Sequence, residues 1–88
     1  MGDEEIGFFL AMRKRSITLK GHRTSIALEA PFWERLDAFA AADGRSLPAL
    51  INEIDRKRLT QTPRPGLASA IRVYVLNRIE SEIHGLQS

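Results

Sequence analysis

Strand-type alternation of apolar and polar positions occupies one short region of this chain, and helical spacing accounts for most of the rest. In GHRTSIALE (residues 21–29), Thr24, Ile26 and Leu28 fall on one face of an extended chain. Arg23, Ser25, Ala27 and Glu29 fall on the other. Just upstream, SITLK (residues 16–20) alternates with Ile17 and Leu19 on one face, and the inward positions switch from odd to even numbers across Gly21. An extra residue at a glycine makes a bulge, and a tight turn has a similar effect on the pattern. The region therefore reads as one bent strand or a small hairpin. The bent strand, over about residues 16–29, is preferred because Lys20-Gly21-His22 lacks the Asn-Gly or Asp-Gly signal of a two-residue turn. One strand leaves its own N–H and C=O groups unpaired, so it needs a partner.

Downstream the period lengthens. Phe32, Leu36, Phe39 and Ala40, widened by Trp33, form one face of a first helix expected over residues 31–43. Pro31 suits its first turn, and Asp43-Gly44 its end. Ser46 is a good N-cap for a second helix over residues 46–60, whose apolar face is Leu47, Leu50, Ile51 and Ile54. Glu53, Asp55, Arg56 and Lys57 are expected mostly toward solvent. TQTPRPG (residues 60–66) is a break, with residues 61–66 read as a linker. Leu67, Ala70, Ile71, Tyr74, Val75, Ile79 and Ile83 keep the helical period in a third helix over residues 67–85, closed by Gly85, with Tyr74 and Val75 expected inside. Residues 1–12 read as a flexible leader, and the linear reading finds no internal repeat.

Composition adds limits. With 88 residues, 43% hydrophobic and 27% charged, the chain makes one small domain whose core alone is thin, a situation that oligomerisation often relieves. It has no cysteine, and His22 and His84 sit in no metal-ligand spacing, so no disulfide, metal or cofactor is expected. No run approaches the roughly 20 apolar residues of a membrane helix, and a cytoplasmic protein is the expectation.

Net charge is only +2, but its distribution is uneven. Residues 13–28 carry Arg13, Lys14, Arg15, Lys20 and Arg23 and no acid. Residues 29–55 are acidic, and residues 56–79 are basic again. No catalytic constellation, glycine-rich phosphate loop or zinc-protease motif is present, so an enzyme is not expected.

A strand preceded by basic residues, then two amphipathic helices joined by Asp43-Gly44-Arg45-Ser46-Leu47, resembles the ribbon-helix-helix family of DNA-binding proteins, the MetJ/Arc superfamily. The resemblance rests on residues 24–54, with ASAIRVYVL later in the chain resembling a bacterial subgroup with a C-terminal extension. It implies a mainly α fold with one short β-strand. Two protomers would each give a strand to an intermolecular antiparallel two-stranded ribbon, in an intertwined homodimer with a core over residues 13–60 and a third C-terminal helix.

The implied function is sequence-specific binding of double-stranded DNA with the ribbon in the major groove, as a transcriptional regulator, a repressor in the leading reading. Arg23, Ser25 and Ala27 match the base-reading positions, and Ala27 departs from the polar residue often found there. Lys20, His22, Arg13, Lys14 and Arg15 are candidate backbone contacts. So are Arg45, Ser46 and Leu47 at the start of the second helix, although Ser46 can equally be a simple cap. Arg56-Lys57-Arg58 is read chiefly as charge complementing a helix end. Two alternatives stay open: an antitoxin that autoregulates its operon and grips a toxin with the third helix, and a protein-interaction module that keeps the fold without binding DNA. Assembly beyond the dimer on DNA is open as well, and a DNA-bound protein would be associated with the nucleoid.

Overall fold

A computed structural model describes residues 11–87, so most of the expected leader lies outside the described residues. The chain forms two strands, β1 (Met12–Leu19) and β2 (His22–Glu29), then three helices, α1 (Ala30–Ala42), α2 (Leu47–Arg58) and α3 (Leu67–Gln87). The architecture is a two-stranded antiparallel ribbon followed by helices, with α3 added at the C-terminal end.

The expected single bent strand is corrected to a hairpin within one chain. β1 pairs with β2 from Met12↔Glu29 to Leu19↔His22. The turn is Lys20-Gly21, with φ of +52° and +82°, the pair of positive angles that a two-residue hairpin of matching twist requires. In this register an odd-numbered residue always faces an even-numbered one in the flanking rungs, as in Ile17↔Thr24 and Arg15↔Ile26. The parity switch across Gly21 is thus the signature of the hairpin. Within the chain, β1 supplies a partner for β2.

Ile17, Leu19, Ile26 and Leu28 point down from the ribbon and are buried with Trp33, Leu36 and Phe39 of α1 and Leu50, Ile51 and Ile54 of α2. Trp33 is deep in this cluster, and its indole N–H donates to the Arg13 carbonyl at 2.8 Å, so its polar atom is satisfied. Ile71 and Val75 of α3 close the core, while Tyr74 is only half-buried. Each fully buried side chain of this size stabilises the fold by about 1.5–3 kcal/mol.

Local chemistry sets the helix ends. Gly44, at φ +65°, ends α1 with its N–H on the Ala41 carbonyl and the Arg45 N–H on the Ala40 carbonyl, the paired bonds of a Schellman turn. Ser46 caps α2 by accepting the Ala49 N–H at 3.2 Å. Asp55, expected in solvent, is 6% exposed and holds Arg58 at 2.6 Å. Arg58 also donates to the Pro65 carbonyl at 3.2 Å, fastening the end of α2 to the approach to α3. Helix α3 runs through Gly85 to Gln87 and does not stop there, because one glycine costs a helix only about 0.5–1 kcal/mol.

Candidate nucleic-acid interface

Because side chains alternate along each strand, the upper face of the ribbon carries residues from both strands. Lys14 lies across from Ala27, Ser16 from Ser25, and Thr18 from Arg23. Arg23, Ser25 and Ala27, expected as one set, do share this face. Arg23 and Ser25 are exposed and Ala27 is half-buried. Ser16 and Thr18 were missed, and Lys14, expected at the backbone, stands among them. The available signal was the alternation of SITLK itself, which assigns Ser16 and Thr18 to the polar face once the region is read as a hairpin. Lys14 also covers the weak point at Ala27, since it stands directly opposite.

Arg13 and Arg15 have the other parity and lie on the core-side face of the ribbon. The Arg15 guanidinium binds both carboxylate oxygens of Asp37, at 3.0 and 3.1 Å, and lies 4.8 Å over the Trp33 ring. The Arg13 carbonyl is the one that receives the Trp33 indole.

At the tip, Lys20 and His22 are exposed, and α2 lies beside them. Asn52 accepts the Lys20 N–H at 3.2 Å and donates to the carbonyls of Thr18 at 3.1 Å and Pro48 at 2.7 Å. The fold therefore sets the first turn of α2 against the ribbon tip. In that turn Ser46 takes the Ala49 N–H, Pro48 has none, and Leu47 packs against the core. Arg45 is held by both oxygens of Glu53, at 3.0 and 3.2 Å, with Asp43 at 3.6 Å. The hydrogen bond from Arg45 holds the Glu53 carboxyl below the usual carboxylate range.

The acidic middle of the chain is consumed in such pairs. Glu29 binds Arg72 at 2.9 Å, Asp37 binds Arg15, Asp43 binds Arg78 at 2.7 Å, Glu53 binds Arg45 and Asp55 binds Arg58. By contrast, the side chains of Lys14, Lys20, His22 and Arg23 have no ion-pair or hydrogen-bond partner among the described residues. The upper face and tip of the ribbon are thus left with unpaired positive charge and hydroxyl groups.

A second surface runs along α3. Val73 and Leu76 are exposed, and beside them a groove of about 440 Å³ is lined by Pro31, Phe32, Arg35, Val75 and Ile79. Among the described residues no group of histidine and acidic side chains is arranged to hold a metal, and no helix is long and apolar enough to cross a membrane.

The profile of the ribbon-helix-helix domain matches residues 12–79. Among solved structures, an uncharacterized protein from Bordetella pertussis Tohama I is similar, with a TM-score of 0.73 at 30% identity. The similarity covers 88% of this chain and 62% of that one, so this chain spans less than two thirds of its neighbour's length. No curated protein matches.

Proposed function

The chain belongs to the ribbon-helix-helix family, and on that premise we propose that it binds double-stranded DNA sequence-specifically with the upper face of its β1–β2 ribbon. That family is a DNA-binding fold without enzymatic chemistry, its members being typically transcriptional regulators or antitoxins. The observation that carries the proposal is the segregation of charge. The acids of residues 29–55 other than Glu34 are matched to arginines. Of the cations without a partner among the described residues, Lys14, Arg23 and Lys20 cluster on and beside one hydroxyl-bearing face, while Arg35, Arg56 and Arg64 lie elsewhere.

A two-stranded ribbon fits the major groove, where each base pair presents a distinct pattern of donors and acceptors. Arg23 gives two hydrogen bonds to a guanine edge, Ser16, Ser25 and Thr18 donate or accept, and Ala27 touches a thymine methyl. Lys20 at the tip, with the Leu47 N–H at the start of α2, holds phosphates. His22, opposite Leu19 on the core-side face, leaves the proposed contact set. Arg15 and Arg45 leave the proposed contact set because their guanidinium groups are committed to Asp37 and Glu53. Arg13 leaves it because it lies on the opposite face. In this reading the protein is a repressor that acts at the nucleoid.

Titration of a duplex at low and raised salt, on the order of 50 and 200 mM, tests the reading. Several phosphate contacts make affinity fall steeply between these concentrations. Absence of binding at the lower one would sink it.

Family members generally dimerise. Within one chain β1 pairs with β2 along one edge. The homodimer we propose packs along α3, where Leu76 is 57% exposed and continues the apolar groove beside Phe32. The same face favours the antitoxin as a second reading, with a toxin in the groove. Sedimentation of the full chain tests the self-pairing: a dimer that Leu76→Glu dissociates supports it, and a monomer would overturn it.

A further inference from the structure

Where α2 ends and α3 begins, the two helices and the linker between them border a cleft of about 310 Å³. That lies at the lower end of the range for small-molecule sites, about 300–1,000 Å³. Helical spacing assembles it. Ile54 and Lys57 are one turn apart on α2, and Gln61 follows where the chain still coils, its N–H donating to the Arg58 carbonyl at 3.1 Å. Ala70, Tyr74 and Asn77 share the facing side of α3, with Ser69 beside them.

Hydrogen bonds fix the walls. Arg58 is held by Asp55 at 2.6 Å and donates to the Pro65 carbonyl at 3.2 Å. The Tyr74 hydroxyl accepts from Arg78 at 2.9 Å, and its ring meets Phe39 edge to face with the centroids 6.3 Å apart. Ile54 is buried and Ala70 half-buried, so the floor between these anchors is apolar.

The mouth differs from the walls. The side chains of Gln61, Ser69 and Asn77 are exposed and have no hydrogen-bond partner among the described residues. Lys57 is exposed as well, and its acid neighbour, Glu53, stands 3.6 Å away with both carboxylate oxygens already held by Arg45. No aspartate or glutamate lines the cleft. Fixed walls with free polar groups at the mouth suit a preformed site, because binding then orders few side chains.

We propose that this cleft binds a small organic acid, with its carboxylate on the Lys57 ammonium and its apolar body against Ile54, Ala70 and Tyr74. Gln61, Ser69 and Asn77 add hydrogen bonds at the mouth. A neutral ligand of the same shape leaves the lysine unused, and an amine meets it with like charge, so the site selects for the anion. The cleft shares no residue with the ribbon, and the inference stands apart from the DNA-binding reading.

The test is a titration of the isotope-labelled full chain with octanoate and, separately, with octanol, followed by the backbone amide signals. Octanoate is expected to shift Gln61, Ser69, Ala70 and Asn77 saturably, and octanol to bind there at least roughly tenfold more weakly, the worth of a hydrogen bond to a charged group. Lys57→Gln should remove the advantage of octanoate, and Lys57→Arg should keep it. Lys57 is exposed, so both variants should melt with the wild type. Equal affinity for octanoate and octanol in the wild type would overturn the proposal. So would saturable shifts centred on Phe32 and Leu76 instead, or no saturable shift with octanoate at all.

Discussion

The side-chain oxygen of Asn52 accepts the backbone N–H of Lys20 at 3.2 Å, which ties the second helix to the tip of the ribbon. The amide nitrogen of the same side chain donates to the Thr18 carbonyl, so one residue holds both sides of the turn. Removing it should loosen the tip. Asn52→Ala is expected to lower stability by about 1–2 kcal/mol, the net worth of these hydrogen bonds. Urea unfolding measures this, and an unchanged midpoint would mean that the turn holds itself.

Lys20 occupies the left-handed region, which a side chain other than glycine or asparagine enters at a cost of about 1–2 kcal/mol. Lys20→Asn converts the turn to the preferred Asn-Gly and should stabilise the protein by about 0.5–1 kcal/mol. The same change removes a tip cation, so the slope of log affinity against log salt should fall by about one. A destabilised variant would contradict the turn assignment.

Neighbouring basic residues should behave oppositely. Arg15→Ala breaks an exposed ion pair with Asp37 and is expected to cost up to about 1 kcal/mol of stability, with the salt slope of DNA binding unchanged. Lys14→Ala should leave the melting temperature in place and reduce that slope by about one. Paired melting and binding titrations decide this, and a steep loss of DNA affinity in Arg15→Ala would defeat the division into two faces.

Acid should weaken the fold through three carboxylates. The Glu29 carboxyl lies below its ordinary value because of a backbone hydrogen bond and Arg72, Asp43 because of Arg78, and Glu53 because of Arg45. For a lowered carboxylate the unfolded chain binds protons first, so stability rises with pH in this range. The contribution is full above about pH 4–4.5 and is lost as pH falls through the lower folded-state values. Denaturant midpoints taken from near neutrality down to about pH 3 should therefore decline, and Arg78→Gln should flatten that decline. Equal midpoints at both ends of that range would show that these pairs contribute nothing.

Much of this was legible locally. The helical period of Trp33, Leu36 and Phe39 and of Leu50, Ile51 and Ile54 marks the faces that are buried. Gly44 and Ser46 mark the ends where α1 stops and α2 begins, because capping is decided by backbone groups a few residues apart. Arg23 and Ser25 were readable as outward because alternation along a strand is equally local. The hairpin was harder, since lysine is a poor residue for its turn and argued for a bent strand. The fate of the acids was not readable at all: Glu29 finds Arg72, and Asp43 finds Arg78, across long stretches of chain.

The amino-acid sequence by itself therefore determined the helices, their caps and the alternating faces of the ribbon. Each follows from preferences that act over a few neighbouring residues. Only the tertiary structure decided that β1 is the partner of β2, that Arg15 and Arg45 are spent on acids, and that Lys14 stands opposite Ala27. Those outcomes depend on which distant groups meet once the core has closed, with Asn52 holding a turn that local preference alone disfavours.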